Sequence, residues 1–399
     1  MRSLLSLLVL LLLGVLATSC SASDVPVVRP ATAAVIRVPQ AAPTITKALE
    51  TAHEGDLVLV SPGVYHESVY VRVRGVVLRG VDRNDVVIDG ETKRDNGIVI
   101  AAPGVSVENL TVRDHRENGV LVTGVTGFRV SYVTASNNGN NGIAASQAQH
   151  GVIEQNYTSG SAESGIFVGA CEACETVVRD NVAEHDATGF QSARASRLRV
   201  TGNRFTGNRV GLQSTSDTKI MIAGNVVGND AERAGPARYD GVFGRGIVLA
   251  GGRHNVVTNN RVTGNPAAGI VLDSTEDLGP VGNRIVGNLL SGNRVDLAYT
   301  ASGGQPGGAN CLADNQLATT VPRDLVMPCP AGGKEAVGER LDAVDAPRGQ
   351  AAPRPPRQPG LPDAATAPPR PAFGLPEAVR AGSIRVPGPE LLVDRVGTA

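Results

Sequence analysis

Residues 138–170 read NGNNGIAASQAQHGVIEQNYTSGSAESGIFVGA. Two Gly-Ile pairs, Gly142-Ile143 and Gly165-Ile166, stand 23 residues apart. Between them lie short β-prone runs and a lone Asn156, with no apolar spacing of 3.6 residues. The pattern extends in both directions. A glycine followed by an apolar residue recurs at Gly97-Ile98, Gly119-Val120, Gly142-Ile143, Gly165-Ile166, Gly189-Phe190, Gly211-Leu212, Gly246-Ile247 and Gly269-Ile270. The steps are 22, 23, 23, 24, 22, 35 and 23 residues. The long step holds an insertion near residues 230–243. An asparagine keeps the same beat: Asn109, Asn156, Asn181, Asn203, Asn225, Asn260 and Asn283.

A unit of 22–24 residues with two or three short strands and no helix excludes helical solenoids and leucine-rich horseshoes. It fits one coil of an all-β, right-handed parallel β-helix. At about 4.8 Å per coil, some eleven coils from residue 57 to 300 make a rod roughly 50 Å long. The residues after the glycines then form one inward ladder, and the asparagines stack in a turn, each amide bonding its neighbours. A parallel stack needs its end edge covered. Residues 43–52 supply a helix for this, with Ile45, Ala48, Leu49 and Ala52 on one face.

The stretch Pro43-Thr44-Ile45-Thr46-Lys47-Ala48-Leu49-Glu50-Thr51-Ala52, then Gly55-Asp56-Leu57-Val58-Leu59-Val60, then Pro62-Gly63-Val64-Tyr65, carries a resemblance. With the repeats, it resembles the right-handed parallel β-helix group of the pectin-lyase-like superfamily, most of all the secreted repeat proteins of actinobacteria. The resemblance covers residues 35–330. It implies a capping helix leading into the first coil. Its functions range over lyases, hydrolases, epimerases, maturation factors and adhesins.

The chain divides into residues 1–20, 21–42, 43–330 and 331–399. The first is an export signal: Arg2, an apolar run from Leu4 to Leu16, then Leu16-Ala17-Thr18-Ser19-Cys20. Those last residues resemble a lipoprotein signal in which Cys20 is lipidated, although its leucine stands four residues before the cysteine where three is usual. The reading is an exported envelope protein, lipid-anchored or released. The second is an N-terminal segment, the third the β-helix with its caps, the fourth a disordered tail. Residues 347–399 hold 12 of the chain's 25 prolines. Leu391-Leu392-Val393 could instead dock on the rod.

Four cysteines remain beyond Cys20. They permit three pairings; Cys171 with Cys174 and Cys311 with Cys329 is favoured because it keeps both loops local, in an oxidising compartment. Net charge is −1, which argues against nucleic acid as a partner. No metal site and no cofactor are predicted.

Aligning coils on the ladder glycine places Arg94, Asp95, Asp114, His115, Arg116, Glu117, Glu184, His185 and Asp186 on one rim. Asp95 and Glu117 fall in one column, a carboxylate pair suited to acid catalysis. Asp114-His115 and Glu184-His185-Asp186 form a second, carboxylate–imidazole column. The predicted function is binding or processing of an extended, anionic polysaccharide along this rim. If the chain is catalytic, His115 or His185 accepts the proton and Asp95 and Glu117 assist. Arg94 and Arg116 clamp the sugar carboxylate, with Asp114, Glu184 and Asp186 beside them. The resemblance implies uronate lyase or epimerase chemistry. The competing reading is a polar turn whose charges neutralise one another. The epimerase motif Asp-Pro-His-Asp is absent; Glu184-His185-Asp186 matches only its last two positions.

Strand alternation turns Val99, Leu121, Ala144, Phe167, Val248 and Val271 outward, interrupted by Gln191 and Gln213. Such a stripe either contacts a protein partner or lies under a loop, the N-terminal segment or the tail. That makes an interaction rod the second functional class. A metal-handling accessory factor is the third, because a periplasmic protein of this group assists copper-enzyme maturation.

Overall fold

The computed structural model describes residues 33–228, 242–302, 308–330, 337–346, 376–377 and 379–396. The stretch predicted to be an export signal, Cys20 and nearly all of the 230–243 insertion lie outside the described residues. The strands form the expected parallel β-helix. One face is an 11-stranded parallel sheet running from Val69–Val71 to Thr320–Val321. We call it the ladder face. The other two faces are joined in a 20-stranded sheet. A typical coil contributes Ser164–Cys171 to the ladder face, Val177–Arg179 to the second and Val182–Glu184 to the third.

The ladder aligns as the repeat requires. Ile98, Val120, Ile143, Ile166, Phe190, Leu212, Ile247 and Ile270 pair coil to coil, and all are fully buried. The glycines before them are required by close approach. A Cβ on Gly119 would lie 2.6 Å from the Gly142 carbonyl oxygen, and one on Gly142 would lie 2.7 Å from that of Gly165. Any side chain there would push the coils apart.

The asparagines sort into more than one stack. Asn156, Asn181, Asn203, Asn225, Asn260, Asn288 and Asn315 form a continuous ladder between the second and third faces. Each Oδ1 accepts from the preceding member's Nδ2 at 2.9–3.0 Å and, in most steps, from its backbone N–H. Asn283 belongs instead to a second stack with Asn255 and Asn310 in the turn entering the second face. Asn109 has a left-handed backbone (φ 57°) and donates to the Gly80 carbonyl. Spacing alone put all seven predicted asparagines into one column, because the turns differ by only a few residues.

Two aspartates replace amides in such turns. Asp186 accepts from the Ser161 N–H at 2.7 Å and the Thr158 hydroxyl at 3.0 Å, while its own N–H donates to Asn208 at 2.9 Å. Burial pushes its carboxyl up to about 7 against these hydrogen bonds. Asp217 accepts from the Ala195 N–H and the Ser192 and Ser214 hydroxyls, and burial pushes it up to about 6.

Both ends are closed. The helix Ile45–Thr51 buries Ile45, Ala48 and Leu49 against the first coils. Thr44 caps it, and the Glu67 carboxylate accepts from the N–H groups of Ile45 and Thr46. The solenoid starts earlier than residue 43, because Val35–Val38 pairs in parallel with Leu57–Val60 before the helix forms. Both local disulfides, Cys171–Cys174 and Cys311–Cys329, are present.

The expectation of a disordered tail fails for its described parts. Residues 337–346 lie on the ladder face, where the Glu339 N–H donates to the Tyr299 carbonyl at 3.0 Å. Residues 379–396 run along the asparagine turn. Asn259 donates to the Ile384 carbonyl at 2.9 Å and Arg204 to that of Leu391 at 3.2 Å. Proline-rich composition concealed this docking, since main-chain carbonyls in an extended segment can accept hydrogen bonds without any side-chain pattern.

Two tests follow from the buried turns. Asn203→Ala strands the Asn181 amide and the Val178 carbonyl, and is expected to lower unfolding stability by about 2–4 kcal/mol in urea titration. For Asp186, the folded chain keeps a proton that the unfolded chain releases above its ordinary value of 3.8. Stability therefore falls as pH rises from about 4 to about 7, with Asp217 adding to the lower part of that window. Asp186→Asn is expected to flatten this slope and raise stability at pH 8 by roughly 1–3 kcal/mol, read by melting across pH.

Candidate functional site

The rim residues occupy the turn that enters the ladder face, and the structure divides them into buried and exposed sets. His115 is 2% exposed. Its ring fills space left by two glycines: a Cβ on Gly90 would sit 2.6 Å from Nδ1, and one on Gly97 2.8 Å from Nε2. Burial holds its pKa below the ordinary value, and both ring nitrogens are buried without a hydrogen-bond partner. An imidazole enclosed within the coil does not reach a ligand lying outside it. The ring predicted as a proton acceptor is thus packed beside Gly90 and Gly97 rather than exposed on the rim.

The predicted carboxylate–imidazole column breaks at the 24-residue coil. There Asp186, not His185, takes the turn position, bonding Ser161 on one side and Asn208 on the other. His185 becomes a half-buried left-handed residue (φ 59°) laid against Gly207. It stands three strand spacings from His115, about 14 Å. Glu184 is buried and accepts the Tyr157 hydroxyl proton at 2.6 Å. Asp186 is fully buried, so neither acid faces a groove. Asp114 is half-buried, 3.5 Å from Arg113, with burial and then Asp89 raising its pKa.

The exposed set stays at the surface but pairs differently from the prediction. Arg94 bonds Glu91 at 2.6 Å. Asp95 and Arg116 face each other at 3.6 Å, 66% and 63% exposed. Glu117 accepts from the Asn140 side-chain amide. Asp95 and Glu117 thus have separate partners, and no carboxylate dyad forms between them. Exposed pairs of this kind add at most about 1 kcal/mol each to stability, so they remain open to competition by a ligand.

Beside this rim lies the outer surface of the ladder face. Tyr70, Leu121, Phe167, Gln191 and Gln213 share one outward column, interrupted by buried Val99 and Ala144 and unbroken only from Phe167 to Gln213. Tyr70 is 44% exposed, with the Arg72 guanidinium 4.8 Å from its ring centre. Ser164 donates to Gln191 at 2.6 Å, fixing that amide. Sequence reading missed Tyr70 because no ladder glycine precedes Val69; strand alternation from Val71 could have found it.

The expected apolar stripe is not one exposed surface. Val99 and Ala144 are buried within the sheet. Val248 and Val271 cluster with Val210, Ala268 and Ala298 beneath Leu341 of the 337–346 segment. That segment encloses a pocket of about 670 Å³ with Phe243, Arg245, Asp273 and Thr300 in its walls. A protein partner is not needed to cover this half, because the chain covers it.

On the second face, unanticipated charges alternate through Arg79, Glu108, Arg129, Glu154 and Arg179. Opposite charges at successive coils make this a stabilising ladder, visible only once the register is known.

Residues 62–227 match the family described as right handed beta helix region. Residues 174–310 match the family described as periplasmic copper-binding protein (NosD). Cys174 is tied to Cys171, and among the described residues no three His, Cys, Asp or Glu side chains converge. No curated protein matches in sequence. Among solved structures, the chain is similar to the A-module of the Azotobacter vinelandii mannuronan C-5 epimerase AlgE4. Identity is 16%, coverage is 67% of this chain and 88% of that one, and the TM-score is 0.53. It is also similar to ORF18 of Geobacillus virus E2, at 11% identity, 69% and 59% coverage, and a TM-score of 0.53. Among the described residues no helix is long and apolar enough to cross a membrane. A glycine-spaced aliphatic ladder, three strands per coil and a family match spanning seven of the ladder strands show that the chain folds as a right-handed parallel β-helix.

Proposed function

We propose that the protein binds an extended polysaccharide along the open part of the ladder face, from Tyr70 to Gln213. The observation that carries this reading is the outward run Phe167, Gln191 and Gln213 on three successive coils, with Leu121 and Tyr70 further along the same column. Gln191 and Gln213 lie in register one strand spacing apart, about 4.8 Å. A repeating surface suits a repeating ligand. Phe167 and Tyr70 offer flat apolar surface to sugar rings, and the glutamine amides both donate and accept. The adjoining rim supplies Arg116 and Arg94 as the groups that hold a uronate carboxylate. Asp95 and Glu91 position them in the unliganded protein. The 337–346 segment roofs the far half of the face, so the ligand path ends near Gln213.

The likeness to a mannuronan epimerase module supports a carbohydrate ligand. The N-terminal signal, the two disulfides and the match to a family described as periplasmic support export. A lipid anchor at Cys20 completes the proposed placement at the cell envelope.

Retention on immobilised polyuronate and neutral glycan gels tests the reading. Phe167→Ser and Gln191→Ala are each expected to weaken binding about tenfold, roughly 1.4 kcal/mol. Arg116→Ala should weaken polyuronate binding while sparing neutral glycans. Unchanged retention for all three variants overturns the site. New unsaturated-uronate absorbance that disappears in His185→Ala would move the function from binding to a lyase.

A further inference from the structure

The C-terminal segment rests on a row of arginines. Arg199 donates to the Pro376 carbonyl at 3.2 Å. Arg204 donates to the carbonyls of Pro389 and Leu391 at 2.8 and 3.2 Å, and Arg261 to that of Pro387 at 2.7 Å. Among the described residues none of these three forms an ion pair. Arg204 and Arg261 occupy the same strand position two coils apart, with Val226 between them, a spacing of about 10 Å.

A main-chain carbonyl satisfies a guanidinium hydrogen bond but does not neutralise its charge. The segment brings no net charge: residues 376–396 hold Glu377, Glu390 and Asp394 against Arg380, Arg385 and Arg395. Arg204 is half-buried beneath it, with a buried Nε lacking a hydrogen-bond partner, and burial lowers its pKa despite the influence of Glu184. At the end of the row Arg395 reaches Gln155 and the Asp180 carbonyl. There it adds to the positive field around buried Arg83, whose pKa is pushed down to about 9, mainly by burial and then by Arg395. Asp180 lies close by, held up by burial and drawn down by Arg179 and Arg395. Arg199, Arg204 and Arg261 thus hold their charge against main-chain carbonyls of the segment rather than against carboxylates. Carboxylate or sulfate groups would bond such guanidinium groups more strongly than carbonyls do.

We propose that Arg199, Arg204 and Arg261 form a second binding site, for a linear anionic polysaccharide, which the 376–396 segment occupies and which such a polymer opens by displacing it. The site lies between the second and third faces, away from the ladder face, so it stands or falls separately from the groove described above. A segment closed about nine-tenths of the time weakens the apparent affinity roughly tenfold.

The test uses the full chain with the segment loosened by Ile384→Ser and Arg395→Ala. Both residues lie in the segment, so the coils stay intact, which melting curves verify. Heparin and polygalacturonate serve as sulfated and carboxylated probes. Roughly tenfold tighter binding of either is expected, and adding Arg204→Ala and Arg261→Ala should abolish the gain. A synthetic peptide of residues 376–396 should compete with the probe on the loosened protein. Unchanged affinity on loosening, or a gain that survives the arginine substitutions, overturns the proposal. Preferential binding of single-stranded DNA over both glycans overturns the polysaccharide assignment. Phe167→Ser in the loosened protein should leave this gain intact, separating the two sites.

Discussion

Every coil must fit the one above it at a single strand spacing, and this constraint governs the rest of the molecule. Where the turn enters the ladder face, the main chains approach too closely for a Cβ, and glycine recurs. Where the chain passes from the second face to the third, the buried turn needs a side chain that both donates and accepts along the axis. Asparagine meets that need from Asn156 to Asn315. A hydroxyl or carboxylate can enter such a stack only with local compensation. Asp186 and Asp217 have it, each surrounded by hydroxyl and N–H donors.

The same constraint frees the outside. Core and turn positions are dictated by stacking, so the outward residues of the ladder strands can vary. There the chain places Tyr70, Phe167 and two glutamines in a line. It closes the remainder with its own 337–346 segment. A second segment closes the asparagine corner through arginine–carbonyl bonds. The rod thus has one face partly open and one corner covered by a neutral strap, an asymmetry that a bare solenoid would lack.

The fold was legible because its period is written in single residues. Each Gly-aliphatic pair marks one coil, and eight of them in register leave little freedom. The candidate site was legible only in part. Arg94, Asp95, Arg116 and Glu117 do reach the surface. His115, Glu184 and Asp186 do not, although they share the rim's numbering. Counting back from the ladder glycine fails in the 24-residue coil, where the turn before Gly189 is one residue shorter, so that Asp186 enters the stack and His185 does not. For His115, no spacing rule could show that Gly90 and Gly97 leave an inward space for its ring.

By itself the sequence determined the coil, its period, the inward ladder and the capping helix, and it favoured the local pairing of the cysteines among three possible ones. All of these depend on residues near one another in the chain or repeating at a constant interval. Only the tertiary structure decided which polar residues turn inward, which asparagines share a stack and where the C-terminal segments lie. Those outcomes depend on a one-residue shift of register and on main-chain carbonyls meeting side chains more than a hundred residues away. Main-chain acceptors are alike at every residue, so nothing in the composition of residues 376–396 announces where they bind.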